Sequence, residues 1–88
     1  PALSLSRITP NPVTGSALMT LYSGAPTEAT ISVYDLAGRN IATVHSGELT
    51  SGSHSFSWTV PAGVGNGVYF IRARTPFGEA RQQMTVLR

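Results

Sequence analysis

The sequence predicts an all-β fold, a seven-stranded antiparallel β-sandwich of the immunoglobulin/fibronectin type III-like kind. Three observations carry this reading. Short apolar runs of strand length recur along the 88 residues, with almost no helical periodicity between them. Turn formers separate the runs at Pro10-Asn11-Pro12, Gly24-Ala25-Pro26, Asp35 to Gly38, Pro61 to Gly67 and Thr75-Pro76-Phe77-Gly78. Ser53 to Trp58 alternates cleanly, with His54, Phe56 and Trp58 on one face and Ser53, Ser55 and Ser57 on the other. The length suits one domain, expected to span residues 1–88. A domain of this size buries only about 60–65% of the surface its unfolded chain exposes, so its core is thin.

The elements follow in order. Leu3-Ser4-Leu5 alternates and leads into Arg7-Ile8. Pro10 and Pro12 then remove two backbone donors and favour extended, polyproline-like geometry, so no sheet ladder is expected to run through Pro10-Asn11-Pro12. Ala17 to Tyr22 is apolar on both faces. Ala29 to Tyr34 places Ile31 and Val33 on one face. In Val33-Tyr34-Asp35-Leu36-Ala37-Gly38-Arg39, the Asp35 side chain can accept from backbone N–H groups a few residues on, and Gly38 can take the positive φ of a tight turn. Ile41 to Val44 is the fourth run, Ser53 to Trp58 the fifth, Gly67 to Thr75 the sixth and Glu79 to Leu87 the seventh.

The last hairpin allows a register to be predicted. A two-residue loop at Pro76-Phe77 pairs Thr75 with Gly78, Arg74 with Glu79, Arg72 with Arg81 and Tyr69 with Met84. Tyr69, Ile71, Ala73, Gln82, Met84 and Val86 then share the inner face. Phe70, Arg72, Arg74, Arg81 and Gln83 point outward. Arg74–Glu79 is a favourable cross-strand pair, and Arg72–Arg81 is an unfavourable one of similar size.

Composition narrows the function. The formal charge is +2 and only 11% of residues are charged. All six basic residues are arginines (Arg7, Arg39, Arg72, Arg74, Arg81 and Arg88), scattered rather than clustered with aromatics, so no nucleic-acid partner is expected. There is no cysteine, which rules out disulfides and thiolate chemistry. No apolar run approaches the roughly 20 residues of a membrane helix, and no membrane insertion is expected. His45 and His54 stand alone, with only Glu48 near His45 and both placed close to a loop, so no metal site is expected. Glu28, Asp35, Glu48 and Glu79 are dispersed, no Gly-x-Ser-x-Gly elbow exists, and no catalytic residue or cofactor is assigned. Gly63-Val64-Gly65-Asn66-Gly67 lacks the Lys and Ser/Thr of a phosphate loop and reads as a turn. Trp58, Tyr22, Tyr34 and Tyr69 are expected mainly in the core, with Tyr22 and Tyr34 the candidates for exposure. The outward arginines form the one candidate patch, either a solvated strand face or a docking surface for an acidic partner.

Five segments together resemble a known family. Pro10-Asn11-Pro12, Val33 to Arg39, Gly52-Ser53-His54 before Phe56-Ser57-Trp58, Gly67-Val68-Tyr69-Phe70 and the terminal Met84-Thr85-Val86-Leu87-Arg88 stand in the order found in C-terminal sorting domains of type IX secretion cargo. That family is related to the immunoglobulin-like domain of the flagellar hook-capping protein. The resemblance implies a non-catalytic address label, secreted or on the cell surface, that takes its cargo through the periplasm and across the outer membrane. It implies two partners: the outer-membrane secretion machinery and an N-terminal cargo domain of the same chain. Families of this kind often carry a lysine in the last strand. Here Arg81, Gln82 and Gln83 stand in that strand and the chain has no lysine.

On this reading Arg72, Arg74, Arg81 and Arg88 are the candidate partner-recognition residues. Pro10, Asn11, Pro12, Asp35, Gly38, Gly67 and Tyr69 are the structural ones. The last strand is expected to lie uncovered at the chain end, where a partner could read it or pair with its edge. The chain starts at Pro1 rather than Met, and a domain excised from a longer secreted protein is expected. The alternative is an accessory β-sandwich of a secreted multidomain enzyme, acting as spacer, stabiliser or carbohydrate-binding module.

Overall fold

A computed structural model describes residues 2–88. Its seven strands are β1 (Leu3–Leu5), β2 (Ser16–Ser23), β3 (Thr27–Tyr34), β4 (Asn40–Leu49), β5 (Gly52–Thr59), β6 (Gly67–Thr75) and β7 (Gly78–Val86). There is no helix among the described residues. Two sheets face each other, one ordered β1-β2-β5 and the other β4-β3-β6-β7. All strand pairings are antiparallel. The fourth strand joins the sheet of the third, sixth and seventh, where an immunoglobulin constant domain pairs it with the fifth.

Alternation builds the core from both sheets. Ala17, Met19 and Leu21 of β2 and Trp58 of β5 meet Ile31 and Val33 of β3, Ile71 and Ala73 of β6, and Met84 and Val86 of β7. Phe56 is partly buried against this cluster, and Ser53, Ser55 and Ser57 are exposed opposite it. β2, apolar on both faces in sequence, buries only one of them: Leu18 is 54% and Tyr22 41% exposed. The β6–β7 register is the predicted one, from Thr75 opposite Gly78 to Gly67 opposite Val86.

β4 is longer than the Ile41–Val44 run expected. Two register shifts against β3 leave Ile41 and Val44 without a cross-strand partner. Each bulge adds a residue and breaks the period-two pattern, which hid the strand's second half. His45 and Glu48 therefore stand within a strand, not beside a loop, and Glu48 lies across from Glu28. His45 is half-buried, with its ring centroid 4.9 Å from that of Phe56.

Pro10-Asn11-Pro12 is where the chain changes sheets. Before it, Thr9 bridges Leu18 of β2; after it, Val13 bridges Val86 of β7 in parallel. The segment bends, with Thr9–Pro10 and Asn11–Pro12 both cis, in place of the extended geometry expected.

This crossing also corrects the expectation for the last strand. β7 is an edge strand, but its C-terminal part is covered. The Val13 N–H donates to the Thr85 carbonyl at 2.7 Å, and the Leu87 N–H donates to the Val13 carbonyl at 2.9 Å. The Thr85 N–H donates to Asn11 Oδ1 at 3.1 Å. The Gln82 amide donates to the Leu5 carbonyl at 2.8 Å, closing the seam to the other sheet. Pro10 and Pro12 offer no N–H, so the donors and acceptors of this cap come from Asn11 and Val13. The part of β7 beyond these contacts is its hairpin end, from Glu79 to Arg81.

Two outcomes follow from this packing. Ile71 is fully buried, so Ile71→Ala should lower unfolding stability by about 2–5 kcal/mol in urea titrations, whereas Leu18→Ala should stay within about 0.5 kcal/mol. Asn11→Ala removes the acceptor of the Thr85 N–H and should cost about 1 kcal/mol, with faster amide hydrogen exchange at Thr85.

Candidate functional site

The outer face of the β4-β3-β6-β7 sheet carries the arginines together with two aromatic rings. Tyr34 of β3 lies opposite Phe70 of β6, and Phe70 lies opposite Gln83 of β7. One row along, Ser32, Arg72 and Arg81 align, and next to them Thr30, Arg74 and Glu79. Both central arginines lean onto the aromatic row. The Arg72 guanidinium carbon lies 4.8 Å from the Tyr34 ring centroid, and its Nη2 donates to the Tyr34 hydroxyl at 3.0 Å. The Arg81 guanidinium carbon lies 5.8 Å from the Phe70 centroid.

Charge balance on this face is incomplete. Arg72 and Arg81 stand directly opposite each other, a like-charge pair that costs a few tenths of a kcal/mol or more. Stacking on Tyr34 and Phe70, worth about 0.5–1 kcal/mol each at such sites, offsets this. Glu79 is the acid nearby: its Oε2 is 3.8 Å from Arg74 Nε and 4.0 Å from Arg72 Nε, too long for a hydrogen bond to either. Among the described residues, Arg72 Nε is buried and has no hydrogen-bond partner.

The β3–β4 turn forms the wall of this site. Asp35 Oδ1 accepts from the Ala37 N–H at 3.0 Å and the Arg39 N–H at 2.9 Å. Its Oδ2 accepts from Arg39 Nε at 2.9 Å. The Gly38 N–H donates to the Asp35 carbonyl at 3.0 Å, and Gly38 takes φ +83°, a left-handed conformation in which a side chain would be strained. The Arg39 N–H, with further help from the Arg39 guanidinium and the Ala37 N–H, holds the Asp35 carboxyl below its ordinary pKa. Closing the turn this way pushes Leu36 out at its tip, 71% exposed.

The structure does not bring all predicted residues together. Arg72, Arg74 and Arg81 share one face. Arg88 lies past the far end of β7 and serves the fold there: its Nη2 donates to the Val60 and Pro61 carbonyls, both at 2.7 Å, and its N–H donates to Asn66 Oδ1 at 2.8 Å. It steadies the Pro61–Gly67 connection. The Tyr69 hydroxyl does the same by donating to the Gly65 carbonyl at 2.8 Å, while Gly67 enters β6 at φ +149°. Tyr34, Phe70 and Leu36 also belong to the site: the sequence places Phe70 on the outward face and marks Tyr34 as a candidate for exposure without assigning either to partner recognition, and it does not single out Leu36. The pairing of β3 with β6, far apart in sequence, is what sets Tyr34 beside Arg72. Trp58 is buried in the core, so it offers no surface for stacking a sugar, and Tyr22 stands exposed on the opposite sheet from Tyr34.

A family model described as a secretion system C-terminal sorting domain matches residues 7–86. Among solved structures the chain is similar to dimeric latent PorU from Porphyromonas gingivalis, with a TM-score of 0.65 and 23% identity over 91% of this chain and 9% of that one. It is also similar to the Pseudomonas fluorescens alkylpurine DNA glycosylase AlkC bound to DNA, with a TM-score of 0.53 and 10% identity over 98% of this chain and 30% of that one. At these identities both likenesses concern the fold. The chain spans about a tenth of the length of the PorU chain. A comparison with curated proteins gives no match.

The turn yields a pH test. The folded-state pKa of Asp35 is lowered, so its stabilisation is present above the ordinary carboxylate pKa of about 3.9 and is lost as pH falls through the lowered value. Asp35→Asn keeps an acceptor but not the charge. It should melt at a lower temperature than the wild type at pH 7, and the gap should narrow below about pH 4 as the wild-type carboxyl protonates.

Proposed function

Because the chain belongs to the secretion system C-terminal sorting domains, matched from residue 7 to residue 86, we propose that it is read as a folded unit through the arginine face of its four-stranded sheet. A sorting domain of this family is not itself catalytic. It belongs to cargo of the type IX system and marks that cargo for export across the outer membrane, to the cell surface or the medium. Interaction with the secretion machinery and attachment to a cargo domain come with that role. The finer reading is that residues 1–88 are one domain at the C-terminal end of a longer chain. Its cargo would lie on the N-terminal side, and outer-membrane components would recognise the domain after it reaches the periplasm.

The observation that carries this reading is the extent of the match. Residues 7–86 run from just after β1 to the last residue of β7, and so include six of the seven strands and all of the core but Leu5 and Leu3 beside it. A linear tail signal would need only one end of the chain. A folded signal must present a surface, and Arg72, Arg74 and Arg81 make up a charged, outward-facing part of this one.

A reporter protein with residues 1–88 at its C-terminus, expressed in a bacterium with a type IX system, tests the proposal. The fusion is expected at the surface or in the medium, and the Arg72→Glu/Arg81→Glu double variant is expected to stay in the periplasm in folded form. A wild-type fusion that stays in the periplasm overturns the sorting role. A double variant exported as well as the wild type overturns the role of the face. Deleting Glu79–Arg88 is the weaker test, because it strips the fully buried Met84 and Val86 from the core.

A further inference from the structure

We propose that the groove between the β3–β4 turn and the β6–β7 hairpin receives an acidic segment of a protein partner. One carboxylate would lie across Arg72 and Arg81, with a neighbouring apolar side chain against Leu36 and Phe70. This deepens the preceding reading and rests on it.

The groove has a volume of about 320 Å³ and is lined chiefly by Tyr34, Asp35, Leu36, Phe70, Arg72 and Arg81. Its donors outnumber its acceptors. Asp35, the carboxylate in its wall, is already committed to the Ala37 and Arg39 N–H groups and to the Arg39 guanidinium. Glu79 divides one oxygen between Arg74 and Arg72 at 3.8 and 4.0 Å and satisfies neither. Among the described residues, Arg81 has no acid within 4.0 Å, and Arg72 Nε is buried without a hydrogen-bond partner, so a ligand would meet the terminal nitrogens of Arg72 rather than Nε. A carboxylate entering here would relieve the repulsion between two arginines directly opposite each other.

The two guanidiniums are also prepared for that ligand. Each leans on an aromatic ring, Arg72 on Tyr34 and Arg81 on Phe70. A guanidinium held against a ring can still donate in plane, for Arg72 through the N–H groups not given to the Tyr34 hydroxyl, and its restricted motion lowers the cost of ordering it on binding. The Arg72 hydrogen bond to the Tyr34 hydroxyl restricts it further.

The surroundings favour a peptide over a polyanion or an anionic lipid surface. The same sheet carries Glu28, Glu48 and Glu79, which would oppose a broad negative partner. Leu36, 71% exposed at the groove wall, offers an apolar contact that a phosphate would leave unused. The hairpin end of the β7 edge, Glu79 to Arg81, is clear of the contacts that cap the rest of the strand and can pair with an extended backbone.

Titrating the ¹⁵N-labelled chain with an acetylated, amidated Leu-Asp-Leu-Asp-Leu peptide tests the proposal by NMR. The Nε–H signals of Arg72 and Arg81 and the backbone N–H of Leu36 are expected to shift. The same peptide with Asn for Asp is expected to leave them in place. Arg81→Gln should weaken binding at least tenfold. Arg81→Lys, which keeps the charge but not the planar fork, should also weaken it, and both variants should retain the wild-type backbone spectrum elsewhere. Absence of these shifts, equal shifts with the Asn peptide, or equal shifts with inorganic phosphate or phosphatidylglycerol vesicles would overturn it. The titration is read without export, so a failed groove leaves the sorting assignment standing. A wild-type reporter fusion that stays in the periplasm removes that assignment whatever the titration gives.

Discussion

The antiparallel pairing of β3 with β6 is the constraint on which the rest of this molecule depends. It joins Val33 to Ile71 and Ile31 to Ala73, four residues with no exposed surface, at the middle of the larger sheet. Because side chains alternate, the same pairing also fixes the opposite face, setting Tyr34 beside Phe70 and Ser32 beside Arg72. Core and arginine face are two consequences of one register. A slip by a single residue would put Arg72 inward and Ile71 outward, and the thin core of an 88-residue domain has no reserve to absorb that.

Around this centre the edges are closed by local means. β7 is capped over its C-terminal part by Asn11 and Val13, and Gln82 ties it to β1 across the seam. β4, at the other edge, carries two bulges, which twist and interrupt a strand that would otherwise offer a regular ladder to a second chain. What remains open is the hairpin end of β7, next to the arginines. A domain that must travel with its cargo without aggregating, and still be recognised, is served by one short open edge rather than two long ones.

The charges are organised by the same economy. Only 11% of residues are charged, yet the outer face of the four-stranded sheet holds Arg72, Arg74, Arg81, Glu28, Glu48 and Glu79. The outer face of β2 and β5 shows Leu18, Thr20, Tyr22, Ser53, Ser55 and Ser57, without a charge. The two faces of the sandwich are therefore chemically distinct. Arginine without lysine suits the charged face, since a guanidinium can stack on Tyr34 or Phe70 and still donate in plane.

Much of this was legible in the residues themselves. Alternation in Ser53–Trp58, turn chemistry at Asp35–Gly38 and Thr75–Gly78, and the two-residue loop at Pro76-Phe77 are local properties. They determined the all-β class, most strand positions and the entire β6–β7 register, because period-two geometry and turn stereochemistry act within a few residues. The second half of β4 was hidden, since bulges erase the alternation that marks a strand. The closure of β7 by Asn11 and Val13, the diversion of Arg88 to the Val60 and Pro61 carbonyls, and the stacking of Arg72 on Tyr34 were decided by tertiary structure alone. Each joins residues at least 27 positions apart, and which distant segments meet depends on how two sheets pack, not on any short run of sequence.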